Sequence, residues 1–381
     1  MSQHLLLTNA RVVLSDRVIE HGWVAVEDGL IAEFGEGTAP ERGTDCGGDT
    51  VIPGLVELHT DNLESHYAPR PKVRWNPIGA VLAYDAQIAA SGITTVFDSL
   101  RVGSDADSAQ IGEDLIILAE AIDTARRSDL LRAEHLTHLR CEVSSPNMAE
   151  QAEAYLARYP VGLVSLMDHT PGQRQFTSIE TWKAFYTRKT PFSPAELEIF
   201  IEQKLATHAQ YAGPNRAWLV ERAARDGIVL ASHDDATADH VAESVQAGIA
   251  IAEFPTTAEA ARASRAAGVQ IMMGGPNVIR GGSHSGNVAA EDLARLGLLD
   301  ILSSDYVPAS LLMAAFELDR RVSDISLPEA IRTVTLNPAR ATGLDDRGEI
   351  AIGKRGDLVR VAEVGGSPVA RETYRAGIRI A

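Results

Sequence analysis

Apolar residues recur along this chain in two rhythms. Near the start they alternate with polar ones in short stretches, HLLLTNARVVL and then VIEHGWVAVEDGLIAEFG, and a period of two predicts half-buried strands. Asp28-Gly29 falls inside the second stretch and predicts a tight hairpin turn. The tail has the same texture in 348-GEIAIGKRGDLVRV-361 and 373-TYRAGIRIA-381. Both ends together predict one small β-sandwich domain, residues 1–52 plus 345–381.

Between them the rhythm changes. Eight short runs are apolar at almost every position: 51-VIPGLVELHT, 92-GITTVFDSL, 136-LTHLRCEV, 162-GLVSLMDHT, 227-GIVLASHDD, 248-GIAIAEFP, 268-GVQIMMGG and 300-DILSSDY. Helical stretches such as 109-AQIGEDLIILAEAIDTARR, 238-ADHVAESVQAGIA and 256-TTAEAARASRAAG separate them. Strands buried on both faces and alternating with helices form parallel sheets. Eight of them over about 250 residues predict a closed, TIM-like (β/α)8 barrel at residues 53–344. The gap from 170 to 227 is too long for one crossover helix and predicts an insertion or lid.

Composition narrows the class. With 45% hydrophobic and 23% charged residues, the 381-residue chain reads as a soluble globular protein. Cys46 and Cys141 are its only cysteines, too few for a disulfide framework or a thiolate zinc site, which suits the cytoplasm. The start MSQHLLLTNARVVLSD predicts no signal peptide, and no apolar run reaches membrane-spanning length. A formal net charge of -17 argues against a nucleic-acid partner. It leaves room for an anionic small molecule, because a local pocket can oppose the global charge.

The polar exceptions to the apolar runs share one position. His59 and Asp61 end the first strand, Glu142 the third, His169 the fourth, His233 the fifth and Asp305 the eighth. In a barrel those ends converge on the face where active sites are built. Residues two apart on a strand point the same way, so His59 and Asp61 can address one ion. Imidazoles and carboxylates without thiolates suit zinc, manganese or iron. Glu142 has a second possible partner in Arg140, on the same strand face.

The stretch 53-PGLVELHTD-61 after a β-rich start, the late strand-end histidines, the final strand-end Asp and the closing 348-GEIAIGKRGDL-358 resemble the amidohydrolase superfamily of metal-dependent hydrolases. Three longer segments, 59-HTDNLESHYAPRP-71, 168-DHTPGQRQF-176 and 275-GPNVIRGGSHSGNV-288, resemble its PhnM family of phosphonate catabolism. That resemblance implies hydrolysis of α-D-ribose 1-methylphosphonate 5-triphosphate to its 5-phosphate and pyrophosphate. It implies two divalent ions, zinc first, with manganese or iron as alternatives. His59 and Asp61 would hold the more buried ion, Glu142 would bridge, His169 and His233 would hold the second, and Asp305 would be both ligand and proton acceptor. Asp61 stands where many relatives carry a second histidine.

A polyanionic substrate gives the nearby cations a purpose. Arg70, Lys72 and Arg74 follow the first strand, Arg174 follows His169, and Arg280 and His284 lie in a glycine-rich segment with Asn277 and Ser283. The planar guanidinium donates two parallel bonds to phosphate oxygens. His135, His138 and His208 are expected to be structural, His66 to stand behind the site, and Trp182, Phe185 and Tyr186 to pack the insertion. Cys141, next to Glu142, should face packing. The competing readings are another amidohydrolase activity, adenine-type deamination or cyclic-amide hydrolysis, and a non-catalytic barrel protein. By analogy with other such barrels, a homodimer is expected.

Overall fold

A computed structural model describes residues 4–103, 109–176, 178–180, 182, 183, 187, 193–283 and 286–381. The N-terminal strands are β1 (His4–Val13), β2 (Val18–Glu27), β3 (Leu30–Glu36), β4 (Thr44–Asp45) and β5 (Thr50–Pro53). Then follow β6 (Leu55–Thr60), β7 (Ile93–Val102), β8 (Glu134–Glu142), β9 (Leu163–Met167), β10 (Val229–His233), β11 (Ile251–Glu253), β12 (Gln270–Gly274) and β13 (Ile301–Ser303). The tail contributes β14 (Leu358–Val364), β15 (Ser367–Arg375) and β16 (Ile378–Arg379).

One sheet joins both termini in the order β16-β15-β14-β5-β1-β2-β3, with β4 paired to β1. Its pairs are antiparallel except where β1 meets β4 and β5. The Asp28-Gly29 turn between β2 and β3 has φ of 47° and 84°, the left-handed pair that a tight hairpin requires. The inward residues Leu7, Val12, Val24, Val26, Val51 and Leu358 form its core.

The other sheet runs β13-β12-β11-β10-β9-β8-β7-β6. A parallel bridge between Thr60 and Asp305 joins its two ends, so the path closes into the expected barrel. All eight strands correspond to the eight apolar runs. The helices between them are α1 (Asn62–Tyr67), α2 (Pro77–Ala90), α3 (Ala109–Arg127), α4 (Met148–Leu156), α5 (Pro194–Asp226), α6 (Ala238–Gln246), α7 (Ala258–Ala266), α8 (Gly275–Arg280), α9 (Ala290–Arg295), α10 (Ser310–Arg321), α11 (Leu327–Arg332) and α12 (Leu336–Ala341). None of the described helices is long and apolar enough to cross a membrane.

The chain divides into two compact units. Met1–Asp98, Ala121–Leu136 and Met273–Ala381 form one; Ser99–Glu120 and Thr137–Met272 form the other. In the first, the Pro53-Gly54 dipeptide has a steric cause. A Cβ on Gly54 would lie 2.3 Å from Thr94 Oγ1 and 2.9 Å from Asp357 Cβ, while its N–H donates to the Asp357 carbonyl at 2.8 Å. The closing GKRGDL segment is tied down nearby. Arg347 donates to Thr95 Oγ1 at 2.9 Å and to Glu134 at 2.7 Å, and Arg355 donates to Thr95 Oγ1 at 3.0 Å.

In the second unit the stretch from 170 to 227, expected to be an insertion or lid, carries α5, 33 residues long. Ser193 and Glu196 form a capping box at its start, Pro194 occupies the first turn, and Gly227 ends it at φ 68°. Pro214 inside it removes one N–H from the helix ladder. Trp182, Phe200 and Ile201 pack at its N-terminal end, the packing role expected for Trp182. Phe185 and Tyr186 lie outside the described residues.

Candidate metal centre

The first unit brings together His59, Asp61 and Asp305. One ligand atom from each lies within 4.8 Å of the others, so the three form a candidate ligand group for one ion. Backbone bonds hold the register: Asp305 N–H donates to the His59 carbonyl at 3.0 Å, and Asp61 N–H to the Asp305 carbonyl at 2.8 Å. Asp305 takes φ 55°, a left-handed conformation that Asp tolerates better than most residues and that turns its side chain off the strand line.

Glu57, unassigned from the sequence, sits behind this set. It is fully buried and accepts from His59 N–H at 2.7 Å and Ser304 N–H at 2.6 Å, joining β6 to β13. Burial pushes its carboxyl pKa up to about 8, against the bonds from Ser304 and His59. Strand alternation was the available signal, since Glu57, His59 and Asp61 share one face. His66 Nε2 lies 3.1 Å from Asn62 Oδ1, and Asn62 donates to the Tyr306 carbonyl at 3.3 Å, next to Asp305.

The second unit brings together His169, His233 and Asp234, again with ligand atoms within 4.8 Å. Asp234 is a candidate that the sequence reading did not name. Its φ of 60° breaks the strand alternation and lets its carboxylate reach His233 Nδ1 at 2.9 Å. Burial opposes protonation of His233, yet the charge and hydrogen bond of Asp234 together with the charge of Glu253 outweigh it and hold the pKa above the ordinary imidazole value. Glu142 accepts from His169 Nδ1 at 2.6 Å, from its backbone N–H at 3.1 Å and from Ser144 Oγ at 2.7 Å. A carboxylate on Nδ1 fixes the imidazole tautomer and leaves Nε2 to face an ion. Trp182 Nε1 donates to the His169 carbonyl at 3.1 Å. Two donor sets of imidazole and carboxylate fit divalent ions.

The anticipated phosphate contacts fall into two groups. Arg70, Lys72 and Arg74 are exposed on the segment after α1, with Arg74 5.8 Å over the Tyr67 ring, and Arg280 is exposed in the last turn of α8. Ser283 is half-buried, and His284 lies outside the described residues. Asn277 holds its own segment closed, accepting from Ala290 N–H at 3.0 Å and donating to the Val288 carbonyl at 3.4 Å. Arg174 is 4% exposed and pairs with Asp235 and Glu243, so its charge is already offset within the protein.

Of the other histidines, His135 lies between Asp98 at 3.0 Å and Asp85 at 3.2 Å. His138 is buried between Ser99 at 3.2 Å and Ser165 at 2.5 Å. Cys141 is fully buried, and desolvation pushes its thiol pKa up.

Comparison with known proteins identifies the family and the fold. The model of the amidohydrolase family matches residues 86–373. The alpha-D-ribose 1-methylphosphonate 5-triphosphate diphosphatase of Escherichia coli K12 is 48% identical over 358 residues, covering 93% of this chain and 94% of that one. Imidazolonepropionase of Deinococcus deserti is 26% identical, covering 93% and 91%. Among solved structures, N-acetyl-D-glucosamine-6-phosphate deacetylase of Mycobacterium smegmatis superposes with a TM-score of 0.65 at 18% identity, over all of both chains, and shows the shared fold. The chain belongs to the amidohydrolase family, in the PhnM branch that its motifs resemble.

Proposed function

We propose that this protein hydrolyses α-D-ribose 1-methylphosphonate 5-triphosphate to the 5-phosphate and pyrophosphate, a step of phosphonate breakdown. The observation that carries the reading is the 48% identity to the Escherichia coli diphosphatase across nearly the whole of both chains. Coordinating residue types occupy all six positions that the family resemblance names, which supports it.

His59, Asp61 and Asp305 would hold one divalent ion and His169, His233 and Asp234 another, with Glu142 orienting His169. Zinc is the first choice of metal. Bound ions would lower the pKa of water towards neutrality and offset phosphate charge. Asp305, on the turned residue after β13, accepts the proton of the attacking water. Arg70, Lys72, Arg74, Arg280, Ser283 and His284 are the groups assigned to the triphosphate. Arg174 and Asn277 are assigned instead to holding the loops that carry the site. The chemistry asked of the chain is mostly positioning and electrostatics, as in phosphoryl transfer generally.

Phosphorus NMR of the metal-loaded enzyme with this triphosphate tests the reading. Pyrophosphate with the 5-phosphate is the expected product pair; orthophosphate release or an inert substrate refutes it. A cyclic-amide reading rests on the 26% relative, and ring opening of an imidazolone in place of triphosphate cleavage is the result that would favour it.

A further inference from the structure

Asp305 keeps a left-handed backbone, φ 55°, which a residue other than glycine holds only where its surroundings over-determine it. Two restraints are backbone bonds to the end of β6, from Asp305 N–H to the His59 carbonyl and from Asp61 N–H to the Asp305 carbonyl. A third comes from a side chain. Asn62, the first residue of α1, donates from Nδ2 to the Tyr306 carbonyl at 3.3 Å. That carbonyl can only accept, which fixes the sense of the amide and turns Oδ1 the other way. There Oδ1 meets His66 Nε2 at 3.1 Å, one helical turn on. An amide oxygen also only accepts, so Nε2 carries the proton. The same Nε2 lies 2.9 Å from Gln87 Oε1 on α2. The His66 ring stands 6.2 Å from that of Tyr84, fully buried one turn before Gln87. All of these residues belong to the first unit.

We propose that Asn62 is a positioning residue for Asp305: braced by His66 and Gln87, it pins the Tyr306 carbonyl and so fixes the turn from which the Asp305 carboxylate joins His59 and Asp61. Asn62 touches neither ion nor substrate in this role; it acts through the residue that follows Asp305. A backbone that shifts there carries the Asp305 side chain with it, and both ligation and proton transfer depend on that placement. Asn62 also directly follows Asp61 in the chain. One amide therefore ties together the two carboxylates of a donor set, Asp61 through the chain and Asp305 through the bond to Tyr306. His66 and Gln87 brace the amide from α1 and α2, so the register of those two helices is transmitted to the end of β13.

The inference rests on the proposed part of Asp305 as ligand and proton acceptor, and one of its readouts needs no substrate. Asn62→Ala, His66→Leu and His66→Gln are compared with the wild type, and Asn62→Ala is also made in the Asp305→Asn background. On each, release of bound metal to a colorimetric chelator, the urea midpoint, and kcat and KM for the triphosphate are measured. Gln places an amide nitrogen where His66 holds Nε2, so it restores the donor that Leu removes. Expected in Asn62→Ala is a kcat lower by about tenfold to a hundredfold, with KM changed less than about threefold. Metal release should be about tenfold faster, with the midpoint unchanged. His66→Leu should show the same pattern more weakly, and His66→Gln should largely reverse it. In the Asp305→Asn background Asn62→Ala should add nothing to either effect, as for two residues that act as one unit. Wild-type kcat and metal release in Asn62→Ala overturn the inference. So do effects that persist undiminished without the Asp305 carboxylate, or that come with a lowered midpoint, since both describe a general loss of structure. A wild type inert toward the triphosphate removes the triphosphate reading alone, and metal release in the single and double variants then decides the role of Asn62 by the same criteria.

Discussion

Replacing Arg174 by Met separates two roles that one arginine near a phosphate site can have. Its guanidinium pairs with Asp235 and Glu243 and donates to the His240 carbonyl at 3.3 Å. The segment before it carries His169, and Asp235 follows His233 and Asp234, so the pair ties together both loops of one metal set. Removing one partner of a buried ion pair destabilises by about 3–5 kcal/mol, because the other charge is left in a poorly solvated site. Asp235 is 1% exposed but keeps bonds from Ser232 Oγ at 2.7 Å and Ser244 Oγ at 3.1 Å, which favours the lower end, about 3 kcal/mol. Met fills much of the arginine stem, so little of the loss is packing. The expected variant has a lower urea midpoint, less metal bound per chain and a reduced kcat, with KM for the triphosphate changed less than threefold. Metal content by plasma emission spectroscopy and steady-state kinetics at saturating metal read these out. A KM raised tenfold or more, with metal content and midpoint at wild-type values, would show that Arg174 binds phosphate and would refute its role as a tie between loops.

The remaining predictions address the base, a buried charge, a steric contact and the metals. Asp305→Asn should lose about 10²–10⁴-fold in kcat while retaining much of its metal, and near-normal turnover would remove it as the proton acceptor. His135 is fully buried; desolvation lowers its pKa, but Asp98 and Asp85 outweigh that and raise it to about 9 from the ordinary 6.5. Its contribution is therefore complete below about pH 6.5 and lost as pH rises through about 9, worth on the order of 3 kcal/mol at 1.36 kcal/mol per unit. A urea midpoint whose fall between those pH values is as steep in His135→Gln as in the wild type would contradict this. Gly54→Ala should cost about 1–3 kcal/mol through its clash with Thr94, with part of the loss recovered by Thr94→Ala; wild-type stability in the single variant would discount the steric explanation. On stepwise chelation, the ion of the oxygen-rich set, His59 with Asp61 and Asp305, should leave before that of His169, His233 and Asp234. Following metal content in Asp61→His, where retention should lengthen, checks the order.

The barrel was legible because a strand buried on both faces writes an apolar run that nothing else in a soluble chain needs. Each of the eight runs became a strand, and His59, Asp61, His169, His233 and Asp305 at or near their ends lie in candidate ligand groups, whereas Glu142 lies in none. What stayed hidden depended on partners distant in sequence or on a local break in the repeat. Arg174 looks free in the sequence because Asp235 lies 61 residues away and Glu243 lies 69 away. Alternation pairs His233 with Asp235 and turns Asp234 aside, yet the left-handed Asp234 brings its carboxylate back to the imidazole. The helix α5 was not named from the sequence, although Ser193 and Glu196 spell its capping box.

The departure at Asp61 acquires a physical meaning from the composition of the two sets. His59, Asp61 and Asp305 offer one imidazole and two carboxylates, whereas His169, His233 and Asp234 offer two imidazoles and one. Carboxylate oxygen is the harder donor and favours magnesium- or manganese-like ions, while imidazole nitrogen favours zinc. A second carboxylate also cancels more of the cation's charge, which weakens its pull on the proton of a bound water. Such a centre would depend more on Asp305 to take that proton than a nitrogen-rich one. Glu57 would compensate mechanically, since its bonds to the His59 and Ser304 amides hold together the strand ends that carry two of the three ligands. A softer grip on the ion would then be matched by a stiffer frame around it.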